Sequence, residues 1–187
     1  MLNYNSPIKN HINYNDISIR EVSPIMKLNL RGKKREFFTA AGKHLDMILP
    51  TEANTSSSSP KFTSIWLSPD EWIVVSNESI EKDTNKYDLK ENLYNSISKT
   101  NLGAVVDVTD QFVMLELEGS KIYELFSSGS PFNFNEFREK KGSSTQTLLN
   151  NIDVIIHNKG VNLVNLFVRR SFSEHLFSWI NDSASRL

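Results

Sequence analysis

The 187-residue sequence contains no cysteine. That excludes disulfides, thiolate nucleophiles, cysteine-ligated zinc and cysteine-held iron–sulfur clusters. Glycine is sparse, with seven residues, and these form neither G-x-G-x-x-G nor G-x-x-x-x-G-K-[ST], so the usual dinucleotide and phosphate-loop signatures are missing. The four histidines, His11, His44, His157 and His175, include no H-E-x-x-H and no i,i+4 pair, so no metal site is expected. Gly119-Ser120, Gly129-Ser130 and Gly142-Ser143 do not extend to G-x-S-x-G, and turn chemistry accounts for them better than a serine nucleophile does. An excess of one charge is also lacking: 21 basic and 22 acidic residues leave a net charge of -1, which gives no electrostatic reason to expect nucleic acid. No apolar run approaches the ~20 residues that cross a bilayer, and "MLNYNSPIKNHINYN" has no signal-peptide core. No membrane contact and a cytoplasmic location are the expectation.

What is present is an ordinary globular composition, 39% hydrophobic and 23% charged. Residues 1–15 are Asn-rich and show no sustained period, so they read as a tail, either mobile or laid across another surface. "TEANTSSSSP" (51–60) has little apolar area to bury and reads as a surface loop.

Hydrophobic periodicity gives the main structural signal. "PIMKLNLRG" (24–32) sets Met26, Leu28 and Leu30 against Ile25, Lys27 and Asn29 and ends at a glycine; "QFVMLELEG" (111–119) does the same with Val113, Leu115 and Leu117. Each glycine leads into helical spacing, through Phe37, Phe38, Ala41 and Leu45 in the first case and Ile122, Leu125 and Phe126 in the second. Each half then supplies two apolar strands: "FTSIWLS" and "EWIVVS" joined by Pro69-Asp70, and "IDVIIHN" and "LVNLFVRR" joined around Lys159-Gly160. Each half closes on a helix with a capping-box signal, Asp88 with Glu91 and Ser171 with Glu174. The sequence therefore predicts an α+β fold in which a β-α-β-β-α unit is written twice, about 24–98 and 111–182, within a single domain over 16–187. Residues 127–149 are extra in the second half.

Few residues invite a chemical role. Asp107 and Asp110 in "GAVVDVTDQ" form a plausible acidic site, although a turn aspartate satisfying backbone N–H groups would look the same. Arg169 and Arg170 fall on opposite sides if their strand continues. Each is then a surface charge, a carboxylate partner or an interface contact, since arginine is the charged residue enriched at interfaces. No constellation supports independent catalysis.

Several segments together resemble the gamma subunit of heterotetrameric sarcosine oxidase: "NLRG" (29–32), "LPTEANT" (49–55), "WLSPDEWIVVS" (66–76), "VVDVTDQFVMLELEG" (105–119), "QTLL" (146–149), "VIIH" (154–157) and "LFVRRSFSEHLFSWI" (166–180). The resemblance covers about residues 16 to 182. It implies a fold like the folate-binding region of the glycine-cleavage T protein and a non-catalytic chain inside a larger oxidoreductase that oxidatively demethylates sarcosine to glycine, passing the one-carbon unit to tetrahydrofolate. It implies alpha-, beta- and delta-type partner subunits that carry FAD, FMN, NAD, tetrahydrofolate and zinc, with no cofactor, metal or catalytic residue on this chain. Arg169, Arg170, Phe172 and Trp72 are then candidate partner-facing residues, and Asp107 and Asp110 candidate polar or folate-side contacts. Many relatives carry cysteines in the regions matching "SSGSPFNF" and "KGSSTQTLL", where serines stand here, which argues against a thiol role. A subunit of an N-methylglutamate-type dehydrogenase, or a free-standing folate-binding module, are the alternative readings.

Overall fold

The computed structural model describes residues 5–8, 11–14, 16–22, 25–77 and 88–187. The chain forms two compact units, residues 1–22 with 111–187, and residues 23–110. It enters through β1 (Ile12–Tyr14) and β2 (Ile17–Glu21). The 23–110 unit adds β3 (Lys27–Gly32), α1 (Arg35–Leu45), β4 (Ser56–Ser58), β5 (Phe62–Ser68), β6 (Glu71–Ser76), α2 (Asp88–Leu93) with a π-helical turn over Tyr94–Ser98, and β7 (Gly103–Asp107). The rest of the chain forms β8 (Phe112–Glu118), α3 (Ile122–Ser127), α4 (Asn135–Glu139), β9 (Ser144–Leu149), β10 (Ile152–Gly160), β11 (Leu163–Arg169) and α5 (Arg170–Ala184).

Both sheets are antiparallel throughout. In the 23–110 unit the order is β4-β5-β6-β3-β7, and in the other it is β1-β2-β8-β11-β10-β9. The two-residue period decides which face of each strand is buried against the helices. Leu28 and Leu30 share a core with Phe37, Ala41 and Leu45 of α1, Trp72 and Val74 of β6, and Leu93 and Ile97. Val113, Leu115 and Leu117 share the other core with Ile122, Leu125 and Phe126 of α3 and Leu176 and Ile180 of α5. Gly119 is required after β8: its φ is 138°, and a Cβ there would lie 2.0 Å from the Asp16 carbonyl oxygen.

Apart from β7 and the β1–β2 pair, the two sheets place their elements in the same order. In each, the strand before the first helix lies beside the last strand of its half, with the hairpin partner beyond. β2 and β7 are exchanged relative to the sequence. β2 directly precedes β3 but pairs with β8, and β7 directly precedes β8 but pairs with β3.

Four expectations change. The tail is partly structured: Ile12–Tyr14 pairs with β2, and Ile8 and Ile12 are buried in the core of the 111–187 unit. Such short strands carry too few alternations to stand out. The serine-rich loop contains β4, which lies at a sheet edge and needs backbone bonds rather than apolar side chains. The β10–β11 turn falls at Val161-Asn162, where Asn162 has φ 56°, while Gly160 belongs to β10 next to an irregular register. Finally, Ser171 is not a cap. The β11 ladder runs to Arg169, Arg170 N donates to Gln111 O at 2.8 Å, and α5 starts at once with no side-chain cap. Asp88 is the first residue described for α2, and the position before it lies outside the described residues. The extra 127–149 segment holds α4 and β9.

Candidate functional site

The residues expected to face a partner separate on structural grounds. Trp72 is corrected to a core position. It is 1% exposed, stands opposite Leu30 and Trp66 in the ladder, packs against Phe37 and Phe38 with ring centroids 5.7 and 5.3 Å away, and donates its indole N–H to Pro50 O at 2.8 Å. A large amphipathic ring with its one donor satisfied belongs to the interior. Arg169 ends β11 and is exposed, whereas Arg170 starts α5, is half-buried, and donates through Nη2 to the backbone carbonyl of Asn5. The two arginines therefore do not continue one strand. Phe172, in the first turn of α5, is 50% exposed.

The two aspartates also divide. Asp107 ends β7, its Oδ2 accepts from Lys90 Nζ at 2.9 Å, and its Oδ1 accepts from the Thr109 N–H at 3.0 Å. Burial pushes this carboxyl up, but the bonds from Lys90 and Thr109 outweigh it and hold the group below the usual carboxylate range. Both oxygens of Asp107 thus already accept a hydrogen bond from within the chain. Asp110 is exposed in the turn that follows.

Sequence reasoning missed a polar row that crosses the six-stranded sheet. Arg20 stands opposite Glu116, Glu116 opposite Asn165, Asn165 opposite His157, and His157 opposite Ser144. Directly paired residues share a face, so these five side chains lie on the face away from the α3 and α5 core. Glu116 accepts from Arg20 Nε at 3.1 Å and Lys159 Nζ at 3.2 Å. Burial raises its carboxyl, and those two cations bring it below its ordinary value. His157 is 6% exposed; burial, with a smaller repulsion from Lys159, drives its imidazole down to about 4, so it is neutral at physiological pH. Asn165 Oδ1 and Ser144 Oγ are buried without a hydrogen-bond partner among the described residues. Hydroxyl, imidazole and amide follow one another here, but each is buried, so the row is closed to a solute. No local signal announces it: the five residues span positions 20 to 165 and meet only through strand register.

In the 23–110 unit an open groove of about 380 Å³ is lined by Leu45, Phe62, Pro60 and Leu89, with His44, Asp46 and Lys61 among its polar lining. Among the described residues, no group of three or more His, Asp or Glu could hold a metal ion, and no helix is long and apolar enough to cross a membrane.

Comparison with solved structures places the fold. The chain is similar to a chain of the heterotetrameric sarcosine oxidase from Corynebacterium sp. U-96, solved with pyrrole 2-carboxylate, with a TM-score of 0.81 and 23% identity over 91% of this chain and 84% of that one. It is also similar to the glycine cleavage system aminomethyltransferase T from Bartonella henselae, with a TM-score of 0.62 and 13% identity, covering 88% of this chain and 45% of that one. The α+β fold is thus that of the T-protein-like chains. No curated protein matches the sequence. The sarcosine oxidase, gamma subunit family (SoxG) matches residues 32–186, from the end of β3 through α5. With that match spanning nearly both units, the chain belongs to the sarcosine oxidase gamma subunit family.

Proposed function

We propose that this chain is the non-catalytic gamma subunit of a multi-subunit sarcosine oxidase, which converts sarcosine to glycine and passes the one-carbon unit to tetrahydrofolate. In this reading it supports assembly with alpha-, beta- and delta-type subunits that carry the flavins, the dinucleotide, the folate site and zinc. The family match over 32–186 carries the proposal. The non-catalytic part is supported by the polar groups themselves: Asp107 is tied to Lys90 and Thr109, and His157 sits neutral and buried within a β-ladder. Arg169 and Phe172, exposed where β11 passes into α5, are the residues proposed to meet a partner.

The test is gentle purification of the tagged chain from its native host, with identification of the co-purifying chains by mass and a visible spectrum. A yellow complex that oxidises sarcosine is the expected result. A colourless lone chain from cells growing on sarcosine would refute the subunit role, and a thermal shift of that lone chain with tetrahydrofolate would favour a folate-binding module instead.

A further inference from the structure

The 23–110 unit concentrates positive charge at one corner. Arg31, Lys33, Lys34 and Arg35 occupy four of five consecutive positions across the end of β3 and the start of α1, in a chain with 21 basic and 22 acidic residues overall. All four are exposed. Two are locally balanced: Arg31 lies 4.0 Å from Asp70 and 3.8 Å from Glu71, and Lys33 lies 3.5 Å from Asp70. Lys34 and Arg35 take part in no ion pair among the described residues.

Folding does not explain this placement. Lys33, Lys34 and Arg35 gather at the positive end of α1, where the helix dipole disfavours cations, and Glu36 is the one acid in the first turn. Lys34 sits at the cap position with no side-chain cap bond, where Ser, Thr, Asp or Asn would stabilise the helix. The run is nonetheless held on rigid structure, because Gly32 N donates to Asp70 O at 3.0 Å and Phe37, two residues on from Arg35, is fully buried. Exposed cations that work against their own helix, carried on a backbone already held in place, suit recognition of an opposite charge.

We propose that this corner is a docking surface for an acidic segment of a partner subunit, with Lys34 and Arg35 as the charges left unpaired to receive it. The inference rests on the subunit reading above and adds a contact separate from Arg169 and Phe172.

The experiment is co-expression of the full chain with the other oxidase subunits, comparing wild type with the triple variant Lys33→Glu, Lys34→Glu, Arg35→Glu over a salt series. The expected result is at least a tenfold loss of recovered complex for the variant at low salt, with wild-type recovery itself falling as salt rises. A zero-length amine–carboxylate cross-linker should join Lys33 or Lys34 to an Asp or Glu of another subunit. Should the triple variant fail to fold, Lys34→Gln with Arg35→Gln carries the same comparison, with a smaller loss expected. Equal recovery of variant and wild type at every salt, or cross-links confined to this chain, would overturn the docking surface while leaving the subunit reading intact. A wild-type chain that recovers no partner would overturn both.

Discussion

Lys27 and Thr109 are bonded to each other along both backbone and side chain. Lys27 N donates to Thr109 Oγ1 at 3.1 Å, and Lys27 Nζ donates to Thr109 O at 3.2 Å and to Ile25 O at 3.3 Å. Lys27 is 4% exposed, so these carbonyls solvate a buried ammonium. The bonds join the two stretches through which the chain enters and leaves the 23–110 unit. Thr109→Val removes the acceptor for a buried N–H while keeping the shape, and should cost about 1–3 kcal/mol. Thr109→Ser should recover most of that, as read by urea denaturation.

Acid should weaken the protein through His157. Its folded value, about 4, lies below the ordinary 6.5, so the unfolded chain takes up a proton before the folded one does. The stability held by the neutral imidazole is complete above pH 6.5 and is lost as pH falls from 6.5 towards 4, by about 3 kcal/mol at most. His157→Gln should flatten unfolding free energy across that window. Asp107 and Glu116 act lower: their stabilisation is present above the ordinary carboxylate range and is lost as pH falls through their depressed values. An unchanged slope between pH 4 and 6.5 in the variant would remove His157 as the source.

Two glycines should behave oppositely. Gly119→Ala forces a left-handed φ of 138° on a residue with a Cβ and drives that atom into Asp16 O, for an expected cost above about 2 kcal/mol. Gly160→Ala meets nothing within 4 Å and should leave stability unchanged or raise it by up to about 1 kcal/mol. Paired thermal melts decide this.

Trp72 and Phe172, both once expected at an interface, should separate cleanly. Trp72→Ala empties a fully buried ring site and should cost about 3–5 kcal/mol in the isolated chain. Phe172→Ala should change that chain's stability by less than about 0.5 kcal/mol. If Phe172 meets a partner, its effect should appear instead in recovery of the complex.

The central strands and first helices were legible because each buries one face. Leu28, Leu30, Leu115 and Leu117 alternate, and Phe37, Ala41 and Leu45 recur at helical spacing. The edge strands were not. β4 is three serines and β1 three residues, and their place depends on an available neighbour rather than on their own pattern. Trp72 was misplaced because the strand pattern of "EWIVVS" does not tell a residue packed on its own helix from one packed on a partner. The Ser171 box was misread because a strand that hands its last residue directly to a helix has its orphan N–H met by Gln111, a contact 59 positions distant that no window of sequence contains. Asp107 stood open between an acidic site and a turn aspartate; at the end of β7 it accepts from the Thr109 N–H and from Lys90, a contact no local pattern announces.

The exchange of β2 and β7 sets an order on synthesis. Everything the 23–110 sheet pairs with lies inside that stretch, so it can close as soon as the ribosome has released its last strand. The first two strands out, β1 and β2, can pair with each other, but the other side of β2 has no partner nearby: Ser18 must wait for Glu118. For that interval one side of β2 stays open, and the long loop that must close makes its pairing with β8 the slow one.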